Sequence, residues 1–150
     1  MHRKLIYSIK MTIQMKATNI FVNLPVNNLS KSMNFFNKLG FTFNKQFTDK
    51  NAACLVLGKN LYAMLITKKF FKTFTKKKIS DAKKHTEVLV ALQLKSKSEV
   101  DLLIKKARNA GGKNYLPPTD YGWMYGNNFL DPDGHQWEVF FMNPKKMPKG

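Results

Sequence analysis

Hydrophobic and polar positions alternate with a period of two from Asn19 onward, with Ile20, Val22, Leu24 and Val26 on one side and Asn19, Phe21, Asn23 and Pro25 on the other. That alternation predicts a strand with one face toward a core. The period then changes. Leu29, Met33, Phe36 and Leu39 recur at helical spacing behind Asn28 or Ser30 as a cap, and Gly40 ends the run as a left-handed C-cap would. Three short strands are predicted next, over 41–47, 52–57 and 61–67, separated by turn residues at 49–51 and 58–60.

The second half repeats this order. Over 87–95, Val88, Val90, Leu92 and Leu94 alternate with Glu87, Leu89, Ala91 and Gln93. Ser96 or Ser98 caps a helix carrying Val100, Leu103, Ile104 and Ala107, which ends at Gly111-Gly112. A short extended segment through Tyr115-Leu116 is broken by Pro117-Pro118, and strands follow over 123–130 and 136–142. A βαβββ order used twice is an internal repeat. Each half alone would leave a sheet face bare, so the expected fold is α+β, with two βαβββ modules pairing into a curved, half-open, barrel-like sheet and helices outside. The division expected is a flexible extension at 1–14, a first module at 15–67, a basic linker at 68–85, a second module at 86–144 and a basic tail at 145–150, all within one domain. The linker is expected to hold one helical turn at 70–74. Met1 and Met15 both remain open as the native start.

Composition narrows the class. Hydrophobic residues make up 43% and aromatics 13%, which favours a folded chain over a disordered one. No apolar run approaches the roughly 20 residues that span a bilayer, and Leu5-Ile6-Tyr7 is too short a patch for a secretory signal. No membrane association is expected. The single cysteine, Cys54, excludes an internal disulfide and suits a reducing compartment, so the cytoplasm is the expected location and core packing the expected role of the thiol. The net charge of +17 raises the question of nucleic acid, but among 26 basic residues only Arg3 and Arg108 carry the guanidinium fork that base and phosphate recognition favours. The lysines read as solvated surface with weak, nonspecific polyanion attraction, and no specific nucleic-acid partner is expected.

The stretch 131–142 carries the most chemistry. An Asp-Pro-Asp-Gly turn delivers an aromatic strand in which Glu138 stands among apolar neighbours, and burying such a group is costly unless it has a partner or a task. Three readings stay open for Glu138. It can be hydrogen-bonded to Tyr125 or Asn23, act as a general base α to a carbonyl, or be a residual metal ligand. Just upstream, Trp123 and Tyr125 lie in a glycine-flanked aromatic loop able to stack on a flat or apolar ligand. Phe70-Phe71 and Phe74 read as a partly exposed patch for a dimer contact or a pocket lid.

These residues resemble a known family. Val26 through Ser32, Phe35-Phe36 and Leu39-Gly40-Phe41 are similar to the first strand-to-helix segment of the glyoxalase/bleomycin-resistance/extradiol-dioxygenase proteins, the vicinal oxygen chelate superfamily. Ala110-Gly111-Gly112, Gly126 and the run from Phe129 through Val139 resemble its second module. The resemblance covers 17–144 and implies a cup lined by both modules, with metal ligands on the first and fourth strands of each. Those positions fall on Phe21, Met64, Leu89 and Glu138, so only one donor remains where a divalent ion wants about three or four. No cofactor is therefore expected, with Zn, Ni, Fe or Mn as the alternative, held by Glu138 alone or by Glu87, Glu138 and one histidine. His135 reads as a turn residue. The implied function is binding of a small, largely apolar molecule in the cup, contacted by Phe21, Asn23, Met64, Leu89, Trp123, Tyr125 and Phe140. The alternative is a lyase or isomerase of the lactoylglutathione lyase type, with Glu138 as the catalytic proton-transfer base. A homodimer is the family expectation.

Overall fold

The computed structural model describes residues 14–150; the predicted extension lies outside the described residues except for Gln14. The first module is built from β1 (Ile20–Val26), α1 (Leu29–Lys38), β2 (Thr42–Asn44), β3 (Ala52–Gly58) and β4 (Leu61–Thr67). A short helix α2 (Lys68–Phe71) and a 3₁₀ turn (Lys72–Phe74) open the linker. The second module holds β5 (Leu89–Gln93), α3 (Lys97–Asn109), β6 (Thr119–Asp120), β7 (Met124–Leu130) and β8 (Gln136–Met142). Two four-stranded mixed sheets result, in the orders β1-β4-β3-β2 and β5-β8-β7-β6. In each, the first and last strands of the module pair in parallel and the remaining neighbours are antiparallel. The sheets do not close into a barrel, and the architecture is the α+β pair of βαβββ modules that the repeat predicts.

Local chemistry sets the element ends. Asn28 caps α1 by accepting a hydrogen bond from the Lys31 amide at 3.0 Å, and Ser96 caps α3 by accepting from the Glu99 amide at 3.1 Å. Glu99 reaches back to the Lys95 amide at 3.0 Å, completing a reciprocal cap. Gly40, at φ +99°, takes the left-handed conformation that ends α1 at no Cβ cost. Two predicted strands are shorter in the structure. The strand expected over 41–47 stops at Asn44, whose side chain accepts from the Gln46 amide and turns the chain into a 3₁₀ helix, Lys45–Phe47. The strand expected over 87–95 pairs only from Leu89 to Gln93. The segment at Tyr115-Leu116 is irregular, and the short edge strand β6 forms after the two prolines instead.

One core joins the modules. Leu24, Val26, Phe35, Phe36, Leu55 and Leu65 of the first module are buried together with Val100, Ile104, Phe129, Trp137 and Val139 of the second. The Phe36 ring meets the Trp137 indole edge-on, with centroids 5.1 Å apart, and the Phe129 ring lies parallel to that indole at 6.0 Å. Cys54 is buried, and burial pushes its thiol above the usual range, which suits packing rather than reactivity.

The Asp131–Gly134 turn fastens this core from outside. Asp131 Oδ1 accepts from the Asp133 and His135 amides, while Oδ2 accepts from the Trp137 indole N–H at 3.1 Å. Burial pushes the Asp131 carboxyl above the usual carboxylate range, opposed by neighbouring His135 and by the indole bond. Asp133 points the other way, accepting from the Asn27 amide at 2.7 Å and the Ser32 hydroxyl at 3.1 Å. His135 Nε2 donates to the Pro25 carbonyl oxygen at 2.7 Å. The turn of the second module is thus bolted to the β1–α1 corner of the first.

Candidate functional site

The β7–β8 register decides what surrounds Glu138. Asn128 lies opposite Glu138 and Gly126 opposite Phe140, so these residues share one face with Met124, and with Ala91 on β5. Trp137, Val139 and Phe141 take the other face, toward the helices and the core. Gly126 keeps the floor low beside Phe140, whose Cβ lies 3.7 Å from where a side chain at 126 would begin.

A second wall comes from the irregular segment before β6. The Asn128 side chain holds it in place: its Oδ1 accepts from the Tyr115 and Leu116 amides at 2.9 and 3.1 Å, and its Nδ2 donates to the Leu116 carbonyl at 3.0 Å. Asn114 adds bonds from its Nδ2 to Asn127 Oδ1 and to the Asn128 carbonyl oxygen. The space between segment and sheet is a cavity of about 260 Å³, lined by Tyr115, Leu116, Met124, Asn128, Glu138 and Phe140 among others. Its composition is that of a small-molecule site, apolar with a few polar groups. The Glu138 carboxylate has no hydrogen-bond partner among the described residues. The Tyr115 hydroxyl is buried and also unpartnered. Burial first, and the Glu138 charge second, push the Tyr115 phenol above its ordinary range. It therefore stays a protonated donor at neutral pH.

The sequence-predicted residues divide into groups. Phe21, Asn23 and Met64 share a face of the first sheet, where Phe21 lies opposite Tyr62 and stacks on it at 4.8 Å, and Asn23 lies opposite Met64. Leu89, Glu138 and Phe140 share a face of the second sheet. The cavity beside Glu138 includes Phe140 but neither Phe21, Asn23, Met64 nor Leu89. Phe21 and Leu89 are about half exposed, at 50% and 48%. Trp123 lies immediately before β7, stacked against Tyr121 at 6.4 Å, and does not line the cavity.

Tyr125 requires a correction. It faces the helix side, three residues from Asn128 and hence on the opposite face, where its hydroxyl donates to Asp101 of α3 and Lys97 sits over its ring at 4.5 Å. The Asp101 bond, with burial behind it, pushes the Tyr125 phenol up to about 12. Neither Tyr125 nor Asn23 hydrogen-bonds Glu138. Tyr115 takes the place beside the carboxylate that the sequence reading gave to Tyr125. Its signal was the Asn127-Asn128 pair, whose amides pin irregular backbone.

The residues do not fit a resident divalent metal. Phe21, Met64 and Leu89 offer no nitrogen or oxygen donor, and among the described residues no three His, Cys, Asp or Glu side chains converge on a common point. Glu87 borders a different cavity from Glu138, so the replacement set of Glu87, Glu138 and a histidine is not assembled.

Comparison with known proteins agrees with this architecture. A hypothetical protein, SA1046 from S. aureus, superposes with a TM-score of 0.71 at 29% identity, over 89% of this chain and 98% of that one. A glyoxalase/bleomycin resistance protein/dioxygenase from Nocardioides gives 0.70 at 24% identity, over 99% and 98%. The fosfomycin resistance protein FosX from Listeria monocytogenes shares the fold, with a TM-score of 0.64 at 16% identity, over 87% and 98%. No curated protein matches the sequence. The family model for the Glyoxalase/Bleomycin resistance protein/Dioxygenase superfamily matches residues 19–139, and the chain belongs to that superfamily.

Proposed function

We propose that this protein binds a small, largely apolar molecule beside Glu138, without a resident metal. The observation that carries the reading is the cavity of about 260 Å³, whose apolar walls include Met124 and Phe140, with two unengaged polar groups, the Glu138 carboxylate and the Tyr115 hydroxyl. Such a site holds an apolar body by burial and orients it through one donor and one acceptor. Leu116, 61% exposed, lines the cavity and offers further apolar surface to a bound molecule. Phe21, Asn23, Met64 and Leu89 belong to the same function only if a second sheet face is brought over the first.

A homodimer supplies that face. Phe21 on β1 and Leu89 on β5 are about half exposed at the edges of the two sheets, apolar surface that a second copy would cover. Among the described residues no helix is long and apolar enough to cross a membrane, and with a single buried thiol the proposed location is the cytoplasm.

The second reading is a lyase or isomerase that moves a proton. An unengaged carboxylate facing an apolar wall is placed to accept a proton from a carbon acid, and a protonated Tyr115 beside it can donate to the developing oxyanion. A thermal-shift panel of neutral aromatic compounds, run with and without a chelator, tests the primary reading. Saturable stabilisation unaffected by chelation supports it; stabilisation that requires an added divalent ion overturns it.

A further inference from the structure

A second cavity, about 320 Å³ in volume, shares no lining residue with the Glu138 pocket, although Gln136 on its wall lies two residues before Glu138 on β8. The linker roofs it, and the C-terminal end of β1 and the start of β8 form its floor. Its apolar surface comes from Pro25, Phe71, Ile79 and Val88.

Its polar groups are biased toward donors. Lys77 and Lys78 line it, and neither has a carboxylate partner, the one ion pair among the described residues being Lys97–Asp120. Gln136 is oriented: the Thr86 hydroxyl donates to its Oε1, which leaves the amide NH₂ free to donate. Glu87 is the single carboxylate on the wall, against eight lysines and one aspartate in the roof over 68–85.

The roof is seated rather than loose. Asp81 organises a turn by accepting from the Lys83 amide on its side chain and from the Lys84 and His85 amides on its carbonyl. That turn packs on Gly134, at φ +89°, so closely that a Cβ there would lie 3.0 Å from Lys83 Cγ and 3.2 Å from the Ala82 carbonyl oxygen. The Asp-Pro-Asp-Gly turn therefore does two things: it bolts the modules together and carries one end of this roof.

We infer that this cavity is a binding site for a small organic anion, an apolar body bearing a carboxylate or a similar oxyanion. Lys77, Lys78 and the Gln136 amide take the anionic group, and Phe71, Ile79 and Val88 take the body. Scattered surface lysines attract any polyanion, whereas an apolar floor beside two unpaired ammonium groups selects a compact amphipathic anion.

The test is an amide chemical-shift titration of the full chain with 2-naphthoate and with the neutral 2-naphthylmethanol. The expected result is saturable 1:1 binding of the acid, with shifts centred on Ser80, Thr86, Val88 and Gln136. The neutral alcohol should be roughly tenfold or more weaker at these positions. Lys77→Gln/Lys78→Gln should weaken the acid by a comparable factor, while the charge-matched Lys145→Gln/Lys149→Gln should not. Ala82→Trp, which fills the roof and leaves net charge unchanged, should abolish binding, its folding being read from the same spectrum. Equal affinity for acid and alcohol at these positions overturns the proposal. So does equal loss in both lysine pairs, or displacement of the acid by a heparin fragment that binds more tightly, which would make the surface a polyanion patch.

Discussion

The Ser32 hydroxyl donates to the Asp133 carboxylate across 3.1 Å, a buried contact between residues 101 positions apart in the chain. The same carboxylate accepts from the Asn27 amide at 2.7 Å. A turn that looks local in sequence is therefore a fastener between modules, and the strand carrying Glu138 starts two residues after it. Position of the site and cohesion of the fold rest on the same few atoms.

Removing one side of this fastener strands the other in a buried setting. Ser32→Ala should lower the unfolding free energy by about 1–3 kcal/mol, the usual cost of an unsatisfied buried partner. Asp133→Ala frees two donors and should cost more than Ser32→Ala. Urea unfolding measures both; a change in Asp133→Ala smaller than in Ser32→Ala would mean that the turn does not hold the modules.

Tyr115 points to a change in the opposite direction. Its buried hydroxyl lacks a partner, and Tyr115→Phe removes the desolvation cost while keeping the ring. The variant should be as stable as the parent or more so by up to about 1 kcal/mol. A clear drop in melting temperature would show that the hydroxyl has a partner in solution.

Alkaline titration probes the Tyr125–Asp101 bond directly. Tyr125 has its phenol pushed up to about 12 by Asp101. Because the folded value lies above the unfolded one, the stability this bond gives is fully present below about pH 10 and is lost as pH rises through about 12. Phenolate absorbance should show a tyrosine titrating last, and Asp101→Asn should bring its titration down. An unchanged curve in Asp101→Asn would remove the bond from the account.

Much of the fold was legible in the chain. Period-two runs located β1 and β5, turn residues at 58–60 marked off β3 from β4, and Asn28 and Ser96 act as the caps their residue types suggest. The shortened β2 had a signal as well, since Asn44 is a residue that bonds its own backbone two positions on. The face of Tyr125 was readable in principle: a hairpin that sets Asn128 opposite Glu138 must turn position 125 away. The role of the Asp131–Gly134 turn was not readable, because Asn27, Ser32 and Pro25 reach it only through tertiary packing. Tyr115 carried only the faint signal of the Asn127-Asn128 pair, because irregular backbone has no periodicity and its position depends on the Asn128 side chain. The lysine-rich linker reads as solvated charge until its seat on Gly134 is seen.

Glu138→Gln probes the carboxylate itself. The side chain faces the cavity and has no partner among the described residues, so the substitution should change stability by less than about 0.5 kcal/mol. If Glu138 is a proton-transfer base, any turnover should vanish in this variant; turnover that persists would assign the carboxylate to ligand orientation alone.

The most direct test of the central claim is an amide chemical-shift titration of chelator-treated protein with neutral 2-naphthylmethanol, read at Tyr115, Met124, Gly126, Asn128 and Glu138. The account predicts saturable shifts centred on these residues, unchanged by adding Zn²⁺, Ni²⁺, Fe²⁺ or Mn²⁺. No saturable shift at these positions, or one that emerges only after a divalent ion is added, would contradict it.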